Sequence, residues 1–111
     1  MSSTLGHRSA LEASSYKASK KAVEGLTRTA ALEGASFGIG LNSVSPFPTD
    51  TGMLTRFTGT PDKNVVLISG VPLNRVGTSG EIAEAILFIA SPKASIITGT
   101  LPLVGAGKSA R

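Results

Sequence analysis

The chain has no cysteine and no tryptophan, and it holds a single tyrosine and a single histidine. Without cysteine there is no disulfide framework, no thiolate metal site and no cysteine nucleophile. One histidine cannot supply the usual nitrogen ligands of a zinc centre. Aromatic residues make up 5% of the chain, which leaves little for stacking nucleic-acid bases. The net charge of +4 comes from 11 Lys+Arg against 7 Asp+Glu. These cations are spread along the chain and form no basic stripe, so no nucleic-acid partner is expected. Long apolar runs are absent too. None approaches the ~20 residues that a bilayer-spanning helix requires, and no membrane association is expected. The opening Met1-Ser2-Ser3-Thr4-Leu5-Gly6-His7-Arg8 has neither the apolar segment nor the small-residue cleavage site of a secretory signal, so the expected location is cytoplasmic.

What remains is the composition of one small globular domain spanning residues 1–111. Hydrophobic residues are 41% and charged residues 16% of the 111, and the mean hydropathy is +0.20, too apolar for disorder. Residues 14 to about 36 read as one helix. Val23, Leu26, Ala30 and Phe37 fall near helical spacing, while Lys17, Lys21, Glu24 and Arg28 lie on other faces. The small residues Ala18, Ala22, Gly25 and Thr29 form a slim stripe that would let another helix approach closely, and Gly38 and Gly40 end the helix. Residues 39–44 (Ile-Gly-Leu-Asn-Ser-Val) read as a short strand stopped by Pro46-Phe47-Pro48. Residues 51–77 are irregular, with a short helix around 62–69, and Met53, Leu54 and Phe57 either line a pocket or pack on their own core. Thr78-Ser79-Gly80-Glu81 opens a second helix whose apolar stripe is Ile82, Ala85, Ile86 and Ile89, ending near Ser91-Pro92; residues 96–104 read as a closing strand. Helix, strand, helix and strand make an α/β pattern. Two strands joined by a helical crossover are parallel, and such sheets need more neighbours than two strands provide.

The chemistry concentrates at the head of the first helix. Tyr16 and Lys20 form a Tyr-x-x-x-Lys pair, and Ser3 lies thirteen positions upstream of the tyrosine. Residues four apart on a helix share a face, with Cβ atoms roughly 5–6 Å apart, so phenol and ammonium project side by side. A free phenol titrates near ~10 and transfers protons poorly at neutral pH, whereas a neighbouring cation favours the phenolate. A shift of about two or three pH units asks roughly 3–4 kcal/mol of the site. The pair reads as an acid/base device.

With these residues the whole chain resembles the C-terminal half of a short-chain dehydrogenase/reductase. The Ser3, Tyr16 and Lys20 spacing matches that family's catalytic residues, and Ala18-Ser19-Lys20-Lys21-Ala22-Val23 continues its helix. Asn42-Ser43-Val44-Ser45-Pro46 and Thr49-Asp50-Thr51 resemble the strand and loop that receive the nicotinamide, while Pro72-Leu73-Asn74-Arg75-Val76-Gly77, Glu81-Ile82-Ala83 and Ile97-Thr98-Gly99 resemble later landmarks in order. The resemblance implies the C-terminal part of a Rossmann-type doubly wound parallel sheet, truncated, and an NAD(P)-dependent oxidoreductase that interconverts an alcohol and a carbonyl. Tyr16 would exchange a proton with the substrate oxygen. Ser3 would hold that oxygen, and Lys20 would tune Tyr16 and bind the nicotinamide ribose. Thr49 and Thr51 would contact the carboxamide. The cofactor would be NAD or NADP, held at its nicotinamide end only. Family members commonly assemble through the corresponding helix and last strand, so a homo-oligomer or pairing with a full-length relative is the implied assembly.

The departures from the family pattern are specific. Its glycine-rich turn, which seats the pyrophosphate on backbone N–H groups, does not occur in these 111 residues. Phe47 stands where the family has glycine, and Val104-Gly105-Ala106-Gly107 replaces Val-Asp-Gly-Gly. Only two residues precede Ser3, so the strand expected to carry it is missing, and the isolated chain is expected to be inactive. A non-catalytic homologue acting through a full-length partner, or an incomplete gene or pseudogene product, fits these departures as well. Two weaker signals fail on spacing. Gly105-Ala106-Gly107-Lys108-Ser109 resembles a P-loop tail, but Pro102 occupies the first glycine position. A hydrolytic triad of Ser3, His7 and Glu12 has only sequence proximity in its favour.

Overall fold

Helix α1 spans Ser14–Ala35, one residue short of the expected end, and the way it stops is visible in its backbone. Gly38 adopts φ +71°. Its N–H donates to the Ala35 carbonyl at 3.1 Å, and the Ile39 N–H reaches back to Gly34 at 3.1 Å. This is a Schellman closure, which needs a residue without a Cβ penalty at the left-handed position. The computed structural model describes residues 1–3, 14–47, 49 and 68–110. Its further elements are β1 (Ser45–Pro46), α2 (Ser79–Ala90), a 3-10 turn (Pro92–Ala94) and β2 (Leu103–Val104). Of the short helix expected around 62–69, Ile68 and Ser69 are described and are helical; the rest of that segment, with Met53, Leu54 and Phe57, lies outside the described residues.

β1 and β2 pair in parallel, Ser45 opposite Leu103 and Pro46 opposite Val104. The ladder is longer than the two strands. The N–H groups of Ser43, Ser45 and Phe47 donate in turn to the carbonyls of Thr100, Pro102 and Val104 at 3.1, 2.9 and 3.1 Å. Both expected strands are therefore displaced toward their C-terminal ends. Residues 39 and 40 belong to the helix closure, with Ile39 exposed, and Ile97 closes a turn on Ala94. Pro46 does not stop the strand, because parallel strands send alternate N–H groups to opposite sides. Donors toward β2 come from 43, 45 and 47, so the missing N–H of Pro46 costs that pairing nothing. On the other side of β1, the Ser2 N–H donates to the Val44 carbonyl at 3.0 Å. Residues 1–3 thus lie along β1 in the place of the strand that sequence reading counted as missing.

Asn42 sets the register. Its Nδ2 donates to the Ile97 carbonyl at 2.9 Å, and its Oδ1 accepts from the Thr100 N–H at 3.1 Å and the Thr100 hydroxyl at 2.7 Å. Asn42→Ala leaves this half-buried set without a partner and is expected to cost about 1–3 kcal/mol. A lowered urea midpoint with an unaltered slope would report it.

The side of α1 that packs inward is the expected one in part, since Val23 and Ala30 are half-buried. Glu24, Thr27 and Ala31 are its buried residues, whereas Leu26 and Phe37 are 68% and 80% exposed. Polar groups can be enclosed there because each has a partner. The Thr27 hydroxyl donates to the Val23 carbonyl at 2.7 Å, and Glu24 accepts from Ser2 and Lys21 at 2.8 and 3.1 Å. Ala18, Ala22, Gly25 and Thr29 lie exposed. In α2 the expected stripe holds, with Ile82 buried and Ala85, Ile86 and Ile89 half-buried. Ala31, Val44, Val71, Ile82 and Ala94 form the apolar core among the described residues.

Candidate active site

Two elements meet at the head of α1. On the helix, the Lys20 ammonium lies over the Tyr16 ring, 5.4 Å from its centroid, a cation–π arrangement set by the one-turn separation. The Ser19 hydroxyl donates to the Tyr16 carbonyl at 2.7 Å and ties down that turn. Tyr16 is 39% exposed and so reachable from solution. The second element is residues 1–3. Besides its sheet bond to Val44, Ser2 sends its hydroxyl to Glu24 Oε1 at 2.8 Å. The Lys20 ammonium also reaches the Met1 carbonyl at 3.5 Å. Ser3 follows these two anchored residues and is half-buried. The structure therefore brings the segment bearing Ser3 onto the helix turn that bears Tyr16 and Lys20.

Thr49 sits at the C-terminal end of β1. Its hydroxyl donates to the Phe47 carbonyl at 3.0 Å, and its backbone forms a parallel bridge with Gly77. Thr51 lies outside the described residues. Phe47 donates its N–H to Val104. Among the described residues positive φ at non-glycine positions occurs only at Asn74 and Ala106, so Phe47 needs no strained backbone. Its side chain, with those of Leu73, Ile82 and Val104, lines a cavity of about 190 Å³ where β1 and β2 end. The ends of strands are where open parallel sheets collect ligands.

Arg75 and Glu81 also line this cavity and form a bidentate pair at 2.9 and 2.7 Å. Glu81 closes the capping box of α2 as well: the Thr78 N–H donates to its Oε2 at 2.9 Å, and its own N–H donates to the Thr78 hydroxyl at 3.2 Å. The Arg75 hydrogen bond, with help from the Thr78 N–H, lowers the Glu81 carboxyl from 4.5 to about 2. Because the native pKa is the lower one, the unfolded chain binds more protons between these values. The stabilisation is complete above about 4.5 and is lost as pH falls through about 2. Glu81→Gln is expected to flatten the acid side of the stability curve in that window, as followed by circular dichroism against pH.

Sequence reading missed Glu24 and the Asn42 clamp. Its spacing puts Glu24 on a face other than the apolar one, yet it is 1% exposed. Its only local signal is the spacing of four from Lys20; the contact that encloses it comes from Ser2, 22 residues away. Among the described residues no group of three or more His, Cys, Asp and Glu side chains could hold a metal ion, and no helix is long and apolar enough to cross a membrane.

Comparison with known proteins identifies the family. The profile of a family described as enoyl-(acyl carrier protein) reductase matches residues 1–109. The short-chain dehydrogenase srdC of Neurospora crassa is 40% identical over 93 residues, covering 83% of this chain and 34% of that protein. Galactitol 2-dehydrogenase of Rhizobium johnstonii is 37% identical over 107 residues, covering 96% of this chain and 41% of the relative. The solved aldohexose dehydrogenase of Thermoplasma acidophilum, in ligand-free form, superimposes with a TM-score of 0.92 at 34% identity, over 99% of this chain and 46% of that one. A protein from Agrobacterium tumefaciens assigned as a 2-deoxy-D-gluconate 3-dehydrogenase, solved with NADP bound, gives a TM-score of 0.93 at 31% identity, over 99% and 45%. The chain thus spans less than half the length of these relatives. With its helix-borne tyrosine and lysine, its parallel strands and matches running from one end to the other, the chain belongs to the short-chain dehydrogenase/reductase family.

Proposed function

We infer that the protein is an NAD(P)-dependent oxidoreductase that interconverts a small alcohol and the corresponding carbonyl compound in the cytoplasm, and that residues 1–111 are the catalytic half of its domain. The observation that carries this reading is the meeting of the Ser3 segment with the Tyr16–Lys20 turn, through Ser2, Met1 and Glu24. The donor set suits the nicotinamide end of the cofactor. Lys20 supplies an ammonium for the ribose hydroxyls, Thr49 supplies hydroxyl and backbone just beyond β1, and the family resemblance assigns Thr51 to the carboxamide. The nicotinamide, when bound, supplies or takes up the hydride. Tyr16 gives its phenolic proton to the carbonyl oxygen in reduction and takes the hydroxyl proton in oxidation. The Ser3 hydroxyl donates to that oxygen and fixes its position. The Lys20 charge, held beside the ring, stabilises the negative charge that Tyr16 bears once its proton has left.

The test separates the two ends of the cofactor. Reduced nicotinamide mononucleotide has no adenine half and needs no glycine-rich turn. Titrated into the protein, it is expected to bind about as well as NADPH if the nicotinamide end is the seat. Binding of NADPH alone, undiminished in Lys20→Met, would contradict the assignment. The exposed Leu26 and Leu32 on α1, 68% and 81% exposed, favour a second reading, association through this helix with another copy or a full-length relative. Light scattering that finds a monomer, unable to capture such a relative, counts against it.

A further inference from the structure

Among the described residues, Glu24 is one of the largest fully buried side chains. An enclosed carboxylate is unfavourable unless it is paired and hydrogen-bonded, and a helix position this enclosed ordinarily carries an apolar residue. Here both oxygens are used. Oε1 accepts from the Ser2 hydroxyl at 2.8 Å, and Oε2 accepts from Lys21, whose side chain is 60% exposed, at 3.1 Å. Ser2 is itself fixed twice more: its N–H donates to the Val44 carbonyl at 3.0 Å, and its hydroxyl lies 3.3 Å from the Lys20 carbonyl.

We propose that Glu24 is a positioning residue that, through Ser2, fixes the segment carrying Ser3 against the helix turn carrying Tyr16 and Lys20. The proposal rests on the reading of Ser3, Tyr16 and Lys20 as the reacting set. Those three groups come from two elements, so their spacing depends on how residues 1–3 sit on α1. The Val44 bond ties Ser2 to the sheet and does not itself reach α1. The shortest link from residues 1–3 to α1 is the charge-assisted Ser2–Glu24 bond, which is buried. The Lys20 contact with Met1, at 3.5 Å, is longer. Glu24 lies one helical turn beyond Lys20, so the residue that holds Ser2 and the residue beside the phenol share one face. A misplacement of about 1 Å between reacting groups lowers rates by about a hundredfold.

The test uses Glu24→Gln, Glu24→Met and Ser2→Ala in the full chain, with two readouts. One is amide hydrogen exchange at Ser2 and Ser3, with the α2 amides as control. The other is steady-state reduction of a carbonyl panel by NADPH. Gln keeps an acceptor for the Ser2 hydroxyl and is expected to rescue, with exchange and kcat within about threefold of the parent. Met and the Ser2→Ala variant are expected to speed exchange at residues 2 and 3 about tenfold or more and to lower kcat at least tenfold, with KM within about twofold. The double variant Ser2→Ala/Glu24→Met is expected to lose no more than either single one. Unchanged exchange in Glu24→Met and Ser2→Ala overturns the proposal, as does a Gln variant as impaired as Met. If Glu24→Met fails to fold, the Gln and Ser2→Ala variants decide the same question. If the parent shows no turnover, as expected of the isolated chain, the exchange data alone decide for or against the clamp.

Discussion

Tyr16→Phe is expected to lower turnover by about 10²–10⁴, the usual worth of a positioned general acid, while leaving cofactor binding within about threefold. The substitution removes one oxygen. The ring that the Lys20 ammonium covers at 5.4 Å stays in place, as does the turn held by the Ser19–Tyr16 hydrogen bond. The loss corresponds to about 2.7–5.4 kcal/mol of transition-state stabilisation, and it should fall on kcat, because the proton moves only during reaction. Lys20→Met should act on both terms, since the ammonium is assigned to the ribose as well as to the phenol. Because Tyr16 is the single tyrosine and no tryptophan is present, ultraviolet difference spectra report its surroundings alone and can show that a Lys20 variant has not displaced it. Equal activity of Tyr16→Phe and the parent would remove the tyrosine from the chemistry.

Gly107→Ala is expected to be the most destabilising of the small substitutions, by about 2–5 kcal/mol. Gly107 has φ +87°, and a Cβ built on it would lie 3.0 Å from both Cβ and Cγ of Pro72. A non-glycine residue at such a φ costs roughly 1–2 kcal/mol, and forcing an extra methyl into a packed contact adds about 1–3 kcal/mol. The proline ring cannot swing away as a flexible side chain would. The same turn ties two segments together: the Leu73 N–H donates to the Ala106 carbonyl at 3.2 Å, and the Lys108 ammonium donates to the Gly70 carbonyl at 3.0 Å. Strain there should spread to the Leu73 wall of the cavity. Urea unfolding should show a lowered midpoint, and a midpoint equal to the parent's would mean the turn can relax.

The parts of this structure that were legible in the sequence are those with local causes. α1 and α2 announce themselves through periodicity, a glycine stop at Gly38 and the Thr78–Glu81 capping box, all decided within a few residues. The Tyr16–Lys20 pair was legible for the same reason, since a spacing of four on a helix dictates adjacency. The strands were misplaced because their limits follow from pairing. Asn42 selects Ile97 and Thr100, more than fifty residues away, and Pro46 is harmless only because of the side to which its absent N–H would point. Glu24 was illegible for a related reason. A glutamate between Lys21 and Arg28 on a helix reads as solvated until Ser2 is seen to cover it. Leu26 and Phe37 fall near the helical spacing of Val23 and Ala30, yet only those two are half-buried, and the satisfied polar groups of Glu24 and Thr27 complete that face.

The most direct test of the central claim is hydride transfer itself. NADPH and reduced nicotinamide mononucleotide, each carrying deuterium at C4 of the nicotinamide, are incubated with the protein and a panel of small ketones and aldehydes, and the alcohols are analysed by mass spectrometry. Deuterium on the carbinol carbon, absent when Tyr16→Phe replaces the parent, is the result expected of a catalytic half built on Ser3, Tyr16 and Lys20. Folded protein that labels product equally well without the Tyr16 hydroxyl, or that leaves every carbonyl unlabelled even when joined to the nucleotide-binding half of a relative, would contradict it.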